Sequence, residues 1–372
     1  MIQKEDPMIR TSVGALLAIT FMTAGSHGQS RPATLPDSEI QKILAERIDV
    51  SHQGVGIVVG VIDANGRRVI AHGRSRAADP RPLDSDTIFE IGSVTKVFTA
   101  LLLADMVQRG EVALDDPISK YLPSGVKAPE RNGRAIALVD LATHTSGLPR
   151  VPANLRPATF QDPYADYTAE HLDAFLSSYE LPREPGTKFE YSNLGGGLLG
   201  YLLARRAGMG YAALVRARIT GPLGMTSTTA ARPGDEDGPR LAAGHNAQLQ
   251  PVPAWHFDVL AGCGGVRSNA NDMLMLLDAF LGRTKTPLAP AMTLMPTVRR
   301  PTGLAGAPEI AIGWLVTKPG AAEILWHNGG TFGYRSYLSV DLRNHAGVVV
   351  LSNTSTPAGV DDIGRQILHP RR

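Results

Sequence analysis

Ser93 and Lys96 stand three residues apart, and apolar residues follow them at Val97, Leu101, Leu102, Ala104 and Met106. That periodicity predicts a helix, with Gly110 placed to stop it. Residues three apart share one helix face, with Cβ atoms about 5–6 Å apart. The Lys96 amine is therefore expected beside the Ser93 hydroxyl. The first turn of a helix also offers unpaired N–H groups and a partial positive charge. A hydroxyl, an amine that can hold its proton and an N–H aimed at a developing oxyanion together suit a serine nucleophile. Spacing alone is weak evidence, because Ser124 and Lys127 repeat it. Those two sit between Pro123 and Pro129, which favours a surface loop over a helix.

Two later stretches carry groups that complete such a site. Tyr191-Ser192-Asn193 follows Pro185-Gly186-Thr187 and an apparent strand, Lys188-Phe189-Glu190. A tyrosine acting as a base must be a phenolate, against a free pKa near 10, and a neighbouring ammonium favours that form. An asparagine two residues on can hydrogen-bond an amide or ester. Trp326-His327-Asn328-Gly329-Gly330 ends a late strand pattern. Its glycines would let a substrate lie close to the strand edge with N–H donors uncovered, and His327 could polarise or bind a substrate group.

These residues need a scaffold. Pro36-Asp37-Ser38 opens a helix to about Ile48, with Ser38 and Gln41 in capping-box spacing. Val55–Ile62 and Arg67–His72 flank Asn65-Gly66, which predicts a hairpin with a type I′ turn. Thr87–Ile91 is a short strand leading to Ser93. Between Asp115 and Ala261, short helical patterns (138–144, 168–179, 194–206 and 211–219) alternate with proline-rich loops. A further helix is expected over 269–281. Strand patterns return at 312–317, 323–326, 335–340 and 347–351, before a terminal helix over 357–368. The expected fold is α/β of the α+β kind: an antiparallel sheet flanked by helices (about 38–114 and 262–372), with an inserted all-helical lobe (about 115–261).

The chain has 372 residues, a net charge of +2 and a single cysteine, Cys263. Its basic residues are dispersed, which argues against nucleic acid. No intrachain disulfide can form, and Cys263, set among glycines, reads as a small buried hydrophobe. Lys4 and Arg10 precede the apolar run Val13–Met22 and then Ala24-Gly25-Ser26. Residues 1–28 therefore read as a secretory signal peptide, too short in its apolar run to stay as a membrane anchor. Residues 29–372 form the catalytic domain, and a periplasmic or secreted location follows.

Ser93-x-x-Lys96, Tyr191-x-Asn193 and His327-x-Gly329, in that order, resemble the serine β-lactamase and penicillin-recognising superfamily. The similarity is to its class C β-lactamase branch, with related D,D-peptidases and esterases. The stretches 141–149, 221–225 and 264–268 agree with it. The resemblance implies a β-lactamase/transpeptidase-like fold and assigns Ser93 as the acylated nucleophile. It gives the proton work to Lys96 and Tyr191, and substrate contacts to Asn193, His327, Asn328, Gly329 and Gly330. The N–H groups of Ser93 and Gly330 would form the oxyanion hole, and no metal or cofactor is implied. The expected partner is a small acyl substrate. β-Lactams come first, with esters and D-amino-acid peptides as alternatives, and a penicillin-binding sensor that acylates without turnover as the non-enzymatic one. Class C enzymes usually carry lysine where this chain has His327. Arg335 is a candidate for the missing charge. Were neutral His327 limiting, affinity for β-lactams would improve as pH falls toward about 6, and His327→Lys would remove the trend.

Two patterns are discounted. Gly195-Gly196-Gly197-Leu198-Leu199-Gly200 fits a dinucleotide fingerprint but lacks an acidic residue about 20 positions on; close helix packing explains it better. No serine sits in a G-x-S-x-G elbow.

Overall fold

In a computed structural model, the described residues are 1–2, 34–77, 79–232, 234–235, 237–320, 322–368. The leader expected over 1–28 lies outside them but for its first two residues.

Ala33–Arg372 forms one unit built on a nine-stranded sheet. In spatial order its strands are Arg300–Leu304, Ala307–Ile310, Leu315–Thr317, Ile324–Gly330, Arg335–Asp341, Ala346–Ser352, Gly56–Asp63, Gly66–Arg76 and Asp79–Pro82. Every neighbouring pair is antiparallel. The N-terminal hairpin joins beside the last strand, with Ile57 opposite Ser352. Strand residues alternate between two faces. Ile57, Val59 and Val61 pack with Ile40 and Leu44 of the helix Asp37–Ala45, and with Ile363 and Ile367 of the helix Asp361–Leu368. Val58 and Ile62 belong to the larger core on the other face, with Leu274 and Leu277 of the helix Ala270–Phe280 and Leu101 of the helix Thr95–Gln108.

The helix Thr95–Gln108 is buried without a break from Thr95 to Met106, as befits an element apolar on all sides. A 3₁₀ turn, Gly92–Val94, feeds into it, so Ser93 sits just ahead of the α-helix. The short strand Phe89–Glu90 pairs with Val266–Ser268, which pairs in turn with Thr229–Ala230.

Three local expectations are corrected. Ser38 does not cap the first helix: it lies inside it, and Pro36 stands at the cap without a side-chain bond. The hairpin turn is not type I′. Asp63 pairs with Gly66, so Ala64 and Asn65 occupy the turn, and neither has the positive φ that type I′ requires. Lys188–Glu190 is not a strand; its backbone is tied to a loop instead, with Glu190 N–H donating to the His144 carbonyl at 2.8 Å. Besides its helices Ala169–Ser178 and Asn193–Ala207, the stretch 115–261 carries two-residue strand pairs that alternation cannot reveal, such as Gly244–His245 with Pro251–Val252.

Candidate active site

The sheet, the 3₁₀ turn and the N-terminus of Asn193–Ala207 meet at a cavity of about 780 Å³. Ser93, Tyr191, Asn193, Asn328, Gly329, Gly330 and Arg335 all line it. Lys96 lies just behind the wall, 4 % exposed. Its Nζ donates to Ser93 Oγ at 3.1 Å, to Asn193 Oδ1 at 2.9 Å and to the Cys263 carbonyl at 2.7 Å. Three acceptors meet the three N–H bonds of an ammonium. A Cβ at Gly196, in the glycine run, would come within 3.0 Å of Lys96 Cε, so that glycine makes room for the lysine stem, while Gly197 and Gly200 admit Leu260 and Gly262.

Ser192 fixes the residues on either side of it. Its hydroxyl caps the helix Asn193–Ala207 by accepting from Gly195 N–H at 2.8 Å, and donates to the Pro149 carbonyl at 2.6 Å. Its own N–H donates to His144 Nδ1 at 3.2 Å, which leaves Nε2 to carry the proton of a neutral ring. The capped turn points Asn193 toward Lys96 and holds Tyr191 over the cavity. Lys96 Nζ stands 4.9 Å from the Tyr191 ring centroid, and the Arg150 guanidinium 5.2 Å from it. Two imidazoles also adjoin that ring, His144 at 4.4 Å and His327 at 6.3 Å between centroids.

The strand Ile324–Gly330 closes the other side. A Cβ on Gly329 would fall 2.0 Å from the Ile91 carbonyl and 2.9 Å from Ser93 N; one on Gly92, at φ +49°, would fall 2.6 Å from Gly330 N. Only glycines let this strand and the serine turn run backbone to backbone. What these glycines admit is the protein's own turn, which brings the backbone at Gly92 and Ser93 against that of Gly329 and Gly330. Ser336 locks the join by donating to the Ile91 carbonyl at 2.7 Å. Arg335, opposite Gly330 in the hairpin, donates from Nη1 to the Thr331 and Tyr334 carbonyls at 2.9 and 3.0 Å. Asn328 donates to Asp361 at 2.7 Å.

His327 differs from expectation. Its neighbours Asn328 and Gly329 line the cavity, but its ring lies behind the wall, 2 % exposed. Burial, and then the Lys96 charge, push its pKa down to about 4, against the Asn328 carbonyl 2.7 Å from Nδ1. His327 is therefore neutral toward pH 6, which argues against the expected gain in affinity there. His144 is held well below its ordinary value by burial first and then by the Lys96 charge.

The sequence reading missed several parts of the site. Tyr164 accepts from Asn193 Nδ2 at 3.3 Å and begins an aromatic wall with Trp255 and Phe332. Cys263 is buried and free as expected, yet its carbonyl is a Lys96 acceptor. A main-chain acceptor leaves no mark in residue type, and the wall comes from loops without periodicity. His144 did have a signal, since it lies in one of the stretches that carried the resemblance.

Fold and site define a serine hydrolase of the β-lactamase and penicillin-recognising kind. A family model described as Beta-lactamase matches residues 37–369, and the chain belongs to that family. It is 31 % identical over 340 residues to the D-alanyl-D-alanine-carboxypeptidase/endopeptidase AmpH of Escherichia coli (strain K12), covering 88 % of this chain and 87 % of that one. Among solved structures, it resembles a β-lactamase/D-alanine carboxypeptidase from Yersinia pestis complexed with citrate (TM-score 0.74, 28 % identity, 88 % of this chain and 95 % of that one). It also resembles a class C β-lactamase from Rhodobacter sphaeroides (TM-score 0.71, 29 % identity, 86 % and 95 %).

Proposed function

We propose that Ser93 is the nucleophile of an acyl-enzyme hydrolase whose first substrates are β-lactams. The observation that carries this is the Lys96 amine, bonded at once to Ser93 Oγ, Asn193 Oδ1 and a main-chain carbonyl. Lys96, with its three hydrogens committed, positions the hydroxyl, and the base role goes to the phenolate of Tyr191, whose ring centroid stands 4.9 Å from Nζ. Ser93 Oγ attacks the carbonyl carbon as its proton passes to Tyr191. Charge gathers on the carbonyl oxygen between the Ser93 and Gly330 N–H groups, a device worth about 2.7–4 kcal/mol per donor. The tetrahedral intermediate collapses, the C–N bond breaks and the amine takes up the proton. Water, deprotonated at the phenolate so regenerated, then cleaves the ester, and that proton returns to Ser93 Oγ as it leaves. Asn193 holds the substrate's side-chain amide, and Arg335, on the wall beside Gly330, meets its carboxylate in place of the absent lysine.

A second reading, cleavage of a C-terminal D-amino acid from a peptide, is favoured by neutral His327 and by the likeness to AmpH. Both substrates carry a carboxylate near the scissile nitrogen, and a simple ester does not. Rates on a chromogenic cephalosporin, a D-alanyl-D-alanine peptide and a nitrophenyl ester separate the readings. Mass spectrometry of the intact protein should show a cephalosporin adduct that disappears within minutes and never forms on Ser93→Ala. An adduct persisting for hours would make the protein a sensor; ester turnover faster by orders of magnitude would make it an esterase.

Export belongs to the same reading, with residues 1–28 as the leader and 29–372 as the mature domain. Among the described residues no helix is long and apolar enough to cross a membrane. N-terminal sequencing of periplasmic protein should begin near Gly28, and an intact Met1 there would reject the leader.

A further inference from the structure

Glu90 and Arg267 stand opposite one another on the paired strands Phe89–Glu90 and Val266–Ser268. They are 3 % and 6 % exposed, and neither lines the cavity. Together they grip the Trp255 backbone at both ends. Trp255 N–H donates to Glu90 Oε1 at 2.5 Å, and the Trp255 carbonyl accepts from Arg267 Nη2 at 3.2 Å. The guanidinium is 3.7 Å from Glu90 Oε1, and its Nη1 donates to Asp237 at 2.7 Å. The Trp255 indole stands in the cavity wall, 5.0 Å from Phe332 and 5.5 Å from Tyr164 between centroids. Tyr164 in turn holds Asn193. A buried ion pair thus reaches the reacting centre through one tryptophan.

We propose that Glu90 and Arg267 are positioning residues for the acyl side of the pocket, and that proton uptake by Glu90 releases Trp255 and loosens the aromatic wall. This rests on the acyl-enzyme reading above. A neutral carboxyl loses its charge attraction to Arg267 and is a weaker acceptor for the Trp255 N–H. Glu90 is also poorly satisfied when charged. Oε2 and the buried Thr331 hydroxyl beside it close no hydrogen bond of normal geometry, although the hydroxyl favours the ionised form. Arg267 and the Trp255 N–H favour that form too, while the nearby Asp237 charge opposes it. The Tyr334 phenol, pushed well up by burial and by Glu90 itself, is neutral there. Beyond Asp237 lies His256, whose Nδ1 meets Asp162 at 2.8 Å. Burial outweighs the favourable contacts and raises Glu90 to about 7, inside the working range of pH.

The full chain should be assayed from about pH 5.5 to 8.5 on nitrophenyl acetate and nitrophenyl phenylacetate. KM for the phenylacetate should fall by roughly 3–10-fold as pH rises through about 7, while KM for the acetate stays flat, since only the larger acyl group touches the aromatic wall. Glu90→Gln should hold the phenylacetate KM at its low-pH value across the whole range. Equal pH dependence for both esters, or a step that persists in Glu90→Gln, overturns the proposal. Tryptophan fluorescence is a second readout that needs no turnover. The parent should show a step near pH 7 that Trp255→Phe lacks, and matching traces would also overturn the proposal. A fluorescence step in a protein that a cephalosporin does not acylate would count against the acyl-enzyme reading and leave the clamp standing.

Discussion

Lys96 is the residue on which the chemistry turns. Replacing it with alanine removes the donor to Ser93, the donor to Asn193 and the cation beside Tyr191 together. kcat/KM should fall by roughly 10²–10⁴-fold, and a stopped-flow trace should place the loss in acylation. Tyr191→Phe should cost a similar factor, and a variant within about 3-fold of the parent would transfer the base role to Lys96. These residues were legible in the chain because each sits in a short stretch with a spacing that chemistry constrains. His327 shows the limit of that reading. Its type suggested a titrating contact, but burial decides its charge, and burial depends on the strands to either side. Substrate KM should accordingly carry no step from this group between about pH 5.5 and 8, and His327→Gln should leave that part of the profile unchanged.

At the scale of elements, the proposed oxyanion site depends on the join between the serine turn and the strand Ile324–Gly330. Gly329→Ala tests it. The new methyl would meet the Ile91 carbonyl at 2.0 Å and Ser336 Oγ at 2.4 Å, so strand and turn must part. Stability should fall by about 1–3 kcal/mol, read from denaturant midpoints. kcat should fall by roughly 10²-fold or more, because the two N–H donors no longer converge. A fall in stability with unchanged kcat would show that the join serves packing alone. The sequence foretold the serine helix through its long apolar pattern, but the strand pattern expected over 323–326 covers only the start of Ile324–Gly330. It did not foretell the Tyr191 loop. Phe189 looks strand-like beside its charged neighbours, but the backbone there bonds to His144 from 46 residues earlier in the chain (190 against 144), and local propensity cannot register so distant a partner.

Across the whole molecule, the central strands and the helices on both faces followed from alternation and apolar runs, whereas the outer strands Arg300–Leu304, Ala307–Ile310 and Asp79–Pro82 did not. The order of strands did not, because the pairing of Ile57 with Ser352 joins the two ends of the domain. The folded chain also buries titratable groups whose protonation shifts stability in opposite directions. His327 is pushed down to about 4 from 6.5, and His144 is lowered too. Their unfolded forms bind more protons than their folded forms below about pH 6.5, so stability drains as pH falls toward about 4. Glu90 is raised to about 7 from 4.5. Its folded form holds the extra proton, so stability drains as pH rises from about 4.5 to 7. Each pKa unit is worth about 1.4 kcal/mol. Relative to the parent, Glu90→Gln should therefore gain on the order of 3 kcal/mol between about pH 4.5 and 8, and His327→Gln a similar amount as pH falls from about 6.5 to 4. Urea midpoints measured across that span check both slopes at once. If the two variants drift from the parent in the same direction with pH, at least one of these side chains does not carry the charge that its surroundings dictate.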